Sequence, residues 1–307
     1  MPFAADLQPV TLTDAEHGLT ATVLPGAGML IPSLQADGIE LLGQRRGIDA
    51  YLSDGKTMGI PLLYPWANRV GEERFDVAGV ALDLRGDRPG LRRDPHGLPI
   101  HGLLAAHPGW VVKETTTTSL TATFAFDETS HPELAATWPF PHVLTYEVTL
   151  RGGALELALT ITPTADASVP VAHGLHPYVA IPGTARADWH VELPARRHLA
   201  LDEQGLPTGG ATDEPASAGA LADRAFDDAY DGLAVGAEFV VAGGGWELRT
   251  TFVEGYPAGQ VFAPPADPVI CFEPMAAPTN ALVAGNGLRV VAPGSSDRSV
   301  MRIDVSR

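Results

Sequence analysis

Glu273 ends the apolar run "PVICF" and is followed by Pro274. A carboxylate emerging from a buried strand end is desolvated, which raises its pKa and makes it a usable base near neutrality; at a solvated sheet edge the same residue would be inert. His176 stands in "VAHGLHPYVAIP", where Pro177 holds the preceding residue in an extended geometry, so it is placed more firmly than His173. Tyr178 is near enough to pack on it or to touch a ligand. His96 and His101 lie in "PHGLPIHGLL", and Gly102 permits a tight backbone approach after His101. In "PLLYPWANRV", Pro61, Tyr64, Pro65 and Trp66 lead to Asn68 and Arg69. A guanidinium stiffened in this way beside a pocket offers fixed donors to hydroxyl groups, whereas a snorkelling or salt-bridged surface arginine needs no such approach.

Metal chemistry is a poor fit. His173 and His176 are three apart and His96 and His101 five apart, so in extended chain each pair points to opposite faces. Cys271 is the single cysteine, so no thiolate cluster can form. The chain has no Gly-x-Ser-x-Gly elbow, phosphate-binding glycine loop or dinucleotide fingerprint. The expectation is therefore no metal and no cofactor.

The elements that must position these residues read as strands. In "HVLTYEVTLRGGALELALTIT", Leu144, Tyr146, Val148 and Leu150 share one face, Arg151-Gly152-Gly153 turns the chain, and Leu155, Leu157, Leu159 and Ile161 continue the period of two. This is a hairpin with one buried and one wet face. Similar runs are "LTATVL", "WVVKETTTTSLTATFAF", "HVELP", "EFVVAGGGWELRTTFV", "PVICFEP" and "VMRIDV". Short helical turns are expected only at "YLSDG" and "PASAGALADRAF". Many short strands without a linker or fixed-period repeat predict one all-β domain over 1–307, a large antiparallel β-sandwich.

Composition narrows the partners. A net charge of −17 leaves little basic surface for phosphate backbones or anionic membranes, so neither nucleic acid nor membrane is expected. A neutral small molecule is the easier fit. The start "MPFAADLQPV" lacks a signal-peptide pattern, and the lone cysteine suits a reducing compartment; together these predict a cytoplasmic protein.

Taken in order, Asn68-Arg69, His101-Gly102, His176-Pro177-Tyr178 and Glu273 resemble the aldose 1-epimerase (galactose mutarotase) family, most specifically in "PWANRV", "HG", "HPY" and "FEPMAAPTNAL". The resemblance covers about residues 60 to 280. It implies the large antiparallel sandwich called the supersandwich, a free sugar as substrate, and a monomer or homodimer. It further implies Glu273 as general base and His176 as general acid, with Arg69 and His101 holding the sugar and polarising its ring oxygen. Asn68, Tyr178 and Trp66 would line the sugar site, with Trp66, Tyr178 and Tyr64 as stacking faces. In "FDDAYDGL", Asp227 looks like the sugar-binding aspartate, with Asp228 and Asp231 as alternatives. Val179 replaces the usual phenylalanine after the His-x-Tyr, and Thr279, with Asn280 next, stands where an acidic residue is often found after the proline; both bear on sugar choice. Three alternatives stand beside this reading: a hexose-6-phosphate epimerase using Arg92-Arg93 or Arg196-Arg197 for phosphate, a non-catalytic sugar binder on the same fold, and the β-sandwich domain of a polysaccharide lyase or glycosidase.

Overall fold

The computed structural model describes residues 4–307. The hairpin forms as the alternation requires. Strand His142–Arg151 pairs antiparallel with Ala154–Pro163, and Leu144, Tyr146, Val148 and Leu150 stand opposite Ile161, Leu159, Leu157 and Leu155. All eight side chains are buried, while Thr145, Glu147 and Thr149 occupy the other face. This hairpin lies within a nine-stranded antiparallel sheet, which continues from it through Asp297–Ser306, Trp246–Glu254, Ala237–Gly243 and His190–Leu193 to the edge strand Ser217–Ala220. A second, eight-stranded sheet runs Pro207–Glu214, Arg196–Leu201, Phe226–Asp231, Ala258–Ala263, Ile270–Met275, Gly174–Leu175 and Leu62–Leu63, with Tyr178–Val179 also paired to Ile270–Met275. A smaller four-stranded sheet uses residues 10–40. One cluster of buried apolar side chains runs from Leu12 to Ile303 and includes residues of all three sheets. Burying one face of each sheet in this way is the main source of stability.

Two expected helical turns part company. "YLSDG" completes the helix Gly47–Asp54, which stops at Gly55 in the left-handed region (φ 69°). "PASAGALADRAF" is not helical: Ser217–Ala220 is an edge strand on His190–Leu193, and Phe226 opens the next strand. Its alanines favour a helix, but the run has no continuous apolar stripe to bury, whereas the open edge of a sheet offers backbone hydrogen bonds directly. Among the described residues no helix is long and apolar enough to cross a membrane.

Candidate active site

The site is a patch of one sheet face. In the eight-stranded sheet Asp227 stands opposite Phe262, Phe262 opposite Cys271 and Cys271 opposite Tyr178, forming one cross-strand row. Two residues along, Gln260 stands opposite Glu273. Because side chains alternate with period two, these two rows project to the same side. His176 joins them from the two-residue link between Gly174–Leu175 and Tyr178–Val179, where its N–H donates to Pro61 O. Asn68, Arg69, His101 and Thr57 close the cavity, whose volume is about 180 Å³, some six waters' worth of liquid at roughly 30 Å³ each. That is room for one monosaccharide ring.

Glu273 and His176 meet at its floor, with Nε2 3.2 Å from Oε1. They are 2 % and 6 % exposed. Burial pushes the Glu273 carboxyl well up, and Asp227 pushes it further, against a smaller opposing pull from Arg69. Burial pushes the His176 imidazole well down, helped by His101 and Arg45. Both displacements favour the uncharged arrangement of the pair, a protonated carboxyl beside a neutral imidazole, over the ion pair. The ion-pair form, a carboxylate beside an imidazolium, differs from it by one proton transfer across that 3.2 Å, which makes the two groups one coupled unit.

Asn68 and His101 both adopt left-handed backbone (φ 54° and 62°), which is uncommon for residues with side chains. Each segment holds the other: His101 N–H donates to Asn68 O at 3.0 Å, and Asn68 N–H donates to His101 Nδ1 at 3.3 Å. With Nδ1 accepting, the imidazole proton resides on Nε2, so His101 is a hydrogen-bond donor. Burial, with Arg69 and Arg92 adding to it, pushes its pKa down to about 3, so it stays neutral over the working pH range. Gly102 follows at φ 71°, and a Cβ there would lie 2.1 Å from Tyr64 O. Gly102→Ala should therefore destabilise the fold by roughly 3 kcal/mol, read as a lower urea midpoint. A midpoint equal to wild type would show that this close approach is dispensable.

Arg69 is stiffened by more than its prolines. Its Nε donates to Asp94 Oδ2 at 2.6 Å and its Nη1 to Asn68 Oδ1 at 3.2 Å. Burial alone would raise Asp94, but hydrogen bonds from Arg69 and from the Leu98 and His96 N–H groups outweigh it and hold the carboxylate low. Asn280, in the "APTNAL" loop, accepts Gly71 N–H on its side chain and donates its own N–H to Arg69 O. Asn280 thus tethers the backbone on both sides of Val70. Thr279 beside it is buried.

The structure brings Asn68, Arg69, His101, His176, Tyr178, Asp227 and Glu273 to one cavity. Asp227 is the aspartate that faces it. Asp228 is on the opposite face of the same strand, 3.5 Å from His198, and Asp231 pairs with Arg197. Trp66 does not reach the cavity: it is 1 % exposed and packs on Trp138 in the core. Tyr64 is likewise buried, bonded to His142. His173 is a core residue edge-on to Tyr256. His96 lies outside, in a groove of about 390 Å³ that continues from the cavity past Arg69 and Asp227 and carries Asp202, Glu203 and Asp228.

Sequence reasoning missed Gln260, Phe262, Thr57 and Asp94. Gln260 donates to Asp227 Oδ1 at 2.8 Å and accepts from Asn68 Nδ2 at 3.3 Å, tying two of the cavity's walls together. Its signal was present, a lone amide in the otherwise apolar "AGQVFA". Phe262 supplies an aromatic wall at right angles to the His176 ring.

The arginine pairs weighed for phosphate are engaged elsewhere. Arg92 donates to the Tyr51 and Ala105 carbonyls, Arg93 pairs with Glu73, Arg196 with Glu214 and Arg197 with Asp231. Among the described residues one group, His107, His131 and Glu133, has metal-like proximity, and it lies away from the cavity. His107 Nδ1 accepts Gly109 N–H at 3.0 Å, so its Nε2 carries the proton and faces Glu133 as a donor, which is the wrong tautomer for ligating an ion.

The family model described as aldose 1-epimerase matches residues 9–304. Among solved structures, a galactose mutarotase-like protein from Clostridium acetobutylicum superposes with a TM-score of 0.80 at 15% identity, covering 99% of this chain and 100% of that one. A GalM/aldose epimerase homologue from C. elegans gives 0.79 at 18% identity over 97% and 98% of the two chains. The Slr1438 protein from Synechocystis sp. PCC 6803 gives 0.78 at 22% identity over 97% and 95%. At such identities these likenesses establish the fold, the galactose mutarotase-like sandwich. An uncharacterized Escherichia coli protein, YihR, is 28% identical over 150 residues, 48% of this chain and 44% of its own length. The match over nearly the whole length, on the sandwich that the strand pattern requires, places this chain in the aldose 1-epimerase family.

Proposed function

We propose that the protein interconverts the α and β anomers of a free aldohexose by acid–base ring opening. The observation that carries this reading is the Glu273–His176 pair, 3.2 Å apart and buried at the floor of a cavity sized for one sugar ring. A cyclic aldose is a hemiacetal. Glu273, as carboxylate, takes the proton from the anomeric hydroxyl while His176, as imidazolium, gives one to the ring oxygen. The bond from C1 to the ring oxygen breaks and an aldehyde forms. Rotation about C1–C2 presents its other face, and closure returns both protons. Each positioned transfer contributes about 10²–10⁴-fold. The open-chain state leaves a protonated carboxyl and a neutral imidazole, the arrangement that burial favours, so both halves of the cycle use forms the site can hold.

Arg69 and the Nε2–H of His101 serve as donors to sugar oxygens, and Asp227, braced by Gln260, as an acceptor. Asn68 steadies Arg69 and Gln260. Phe262 and Tyr178 are the aromatic walls. Holding the ring in one orientation is itself worth much of the rate. A phosphorylated hexose is disfavoured, because the groove beyond Arg69 carries Asp202, Glu203 and Asp228 and the arginine pairs are committed to carbonyls and carboxylates. On this reading the protein acts on its sugar as a monomer or homodimer in the cytoplasm. Polarimetry on freshly dissolved α-glucose and α-galactose should show acceleration of anomerisation well above the spontaneous rate. Under matched conditions glucose 6-phosphate should give a kcat/KM at least tenfold lower, about 1.4 kcal/mol of discrimination. Preference for the phosphorylated sugar would reverse the substrate assignment.

A further inference from the structure

In acid–base sites the remote nitrogen of a working histidine is commonly held by a carbonyl or carboxylate, which fixes the ring. In His176 that nitrogen, Nδ1, has no partner from another residue among the described residues. The imidazole must then be oriented by what packs on it, and of the rings around it Tyr178 lies nearest. The ring of Tyr178 stacks on it, centroids 4.3 Å apart and planes 10° from parallel, and the Tyr178 hydroxyl lies 3.2 Å from Nε2.

Tyr178 is in turn held from outside. Its hydroxyl lies 2.6 Å from Thr57 Oγ1 and accepts Arg45 Nη1–H at 3.1 Å, and the guanidinium lies over its ring, 5.1 Å from the centroid. The remaining edge of the same guanidinium clamps Asp267 Oδ2, through Nε at 3.1 Å and Nη2 at 2.8 Å. Asp267 lies in the loop that leads into the strand Ile270–Met275, which bears Glu273. A single side chain thus bridges the segment after His176 and the loop before Glu273, although it is not among the residues lining the cavity. An exposed Arg–Asp pair contributes little stability by itself; the geometry of the bridge is its point.

We propose that Arg45 is a positioning residue that, through Tyr178 and Asp267, fixes the His176 imidazole relative to the Glu273 carboxylate. The inference rests on the acid–base reading of that pair. Its charge acts in the same place. The groups facing His176 are Glu273, His101, Tyr178 and Phe262, with Asp227 and Arg69 acting on Glu273 from across the cavity, and the Arg45 cation opposes protonation of the imidazole. Arginine suits this bridge because its planar fork donates in fixed directions to both partners, whereas a lysine ammonium is a compact charge on a flexible stem.

The test uses the full chain with Arg45→Met and Arg45→Lys, each checked for folding by circular dichroism and thermal melting. Arg45→Met should lower kcat roughly tenfold with KM within twofold, the signature of lost alignment. Removing a nearby cation favours proton binding, so both limbs of its kcat–pH profile should move to higher pH. Arg45→Lys keeps the charge, so its limbs should stay put while kcat recovers only in part. In parallel, NMR titration of the His176 imidazole in the sugar-free protein should show the same upward movement in Arg45→Met. That readout needs no turnover: a movement there with an inactive wild type would reject the mutarotase reading and leave the Arg45 coupling standing. An active wild type whose Arg45→Met variant keeps its kcat, or loses it with no movement of limbs or titration, would overturn the proposal.

Discussion

Glu273→Gln should reduce enzymatic anomerisation about 10³-fold, within the 10²–10⁴ range for loss of one positioned proton transfer, with little change in sugar affinity. The amide keeps the size and one acceptor oxygen but cannot take a proton. Glu273 is 2 % exposed and raised by burial, so replacing an ionisable group there by a neutral one should leave the fold intact or firmer. The loss would then appear in kcat, measured by polarimetry, and not in the melting temperature. A variant that kept a tenth or more of wild-type kcat would remove Glu273 from the chemistry.

His176→Asn should cost a similar factor, and the double variant Glu273→Gln/His176→Asn little more than either single one. The two groups are 3.2 Å apart, and on the proposed mechanism they work with one proton between them, so removing either disables the pair as a unit. Multiplying losses would mean that the two residues act independently and would contradict the shared-proton account. The same pairing predicts a bell-shaped kcat–pH profile. At high pH the pair loses its one proton and has no acid. At low pH it gains a second and has no base. The displacement of Glu273 upward and of His176 downward favours the neutral pair over the doubly charged one.

Much of this was legible in the sequence because its signals are local. The alternation in 142–163 fixes which side chains are buried, since a one-residue slip would send Leu144, Tyr146 and Val148 into water. Glu273 could be read as desolvated because the whole run "VICF" before it is apolar. Arg69 could be singled out because its approach is stiff. What the sequence did not carry is which way an irregular segment faces. Tyr64 and Trp66 are two apart and share a face, but that face is the core, where Trp66 meets Trp138 and Tyr64 meets His142. The left-handed turn at Asn68 breaks the alternation, so Arg69 reaches the cavity while the aromatics do not. Nor could Gln260 be placed opposite Glu273, or Phe262 opposite Cys271, without the register of two strands. Long-range partners behave likewise: Asp94 holding Arg69, and Asp267 joined through Arg45 to Tyr178, depend on which loops the fold apposes. The helix expected in "PASAGALADRAF" failed for a related reason, since an unpaired sheet edge outweighed the local preference of alanine.

The central claim is that this cavity opens and recloses a sugar ring without touching a carbon–hydrogen bond. Proton NMR exchange spectroscopy on an equilibrated aldohexose in deuterated buffer tests it most directly, because it reads anomer interconversion and the fate of the C1 and C2 hydrogens together. The account predicts that a catalytic quantity of wild-type protein speeds exchange between the α and β anomeric signals for glucose or galactose, with no loss of either hydrogen to solvent. No acceleration for either sugar, or deuterium appearing at C1 or C2, would contradict it.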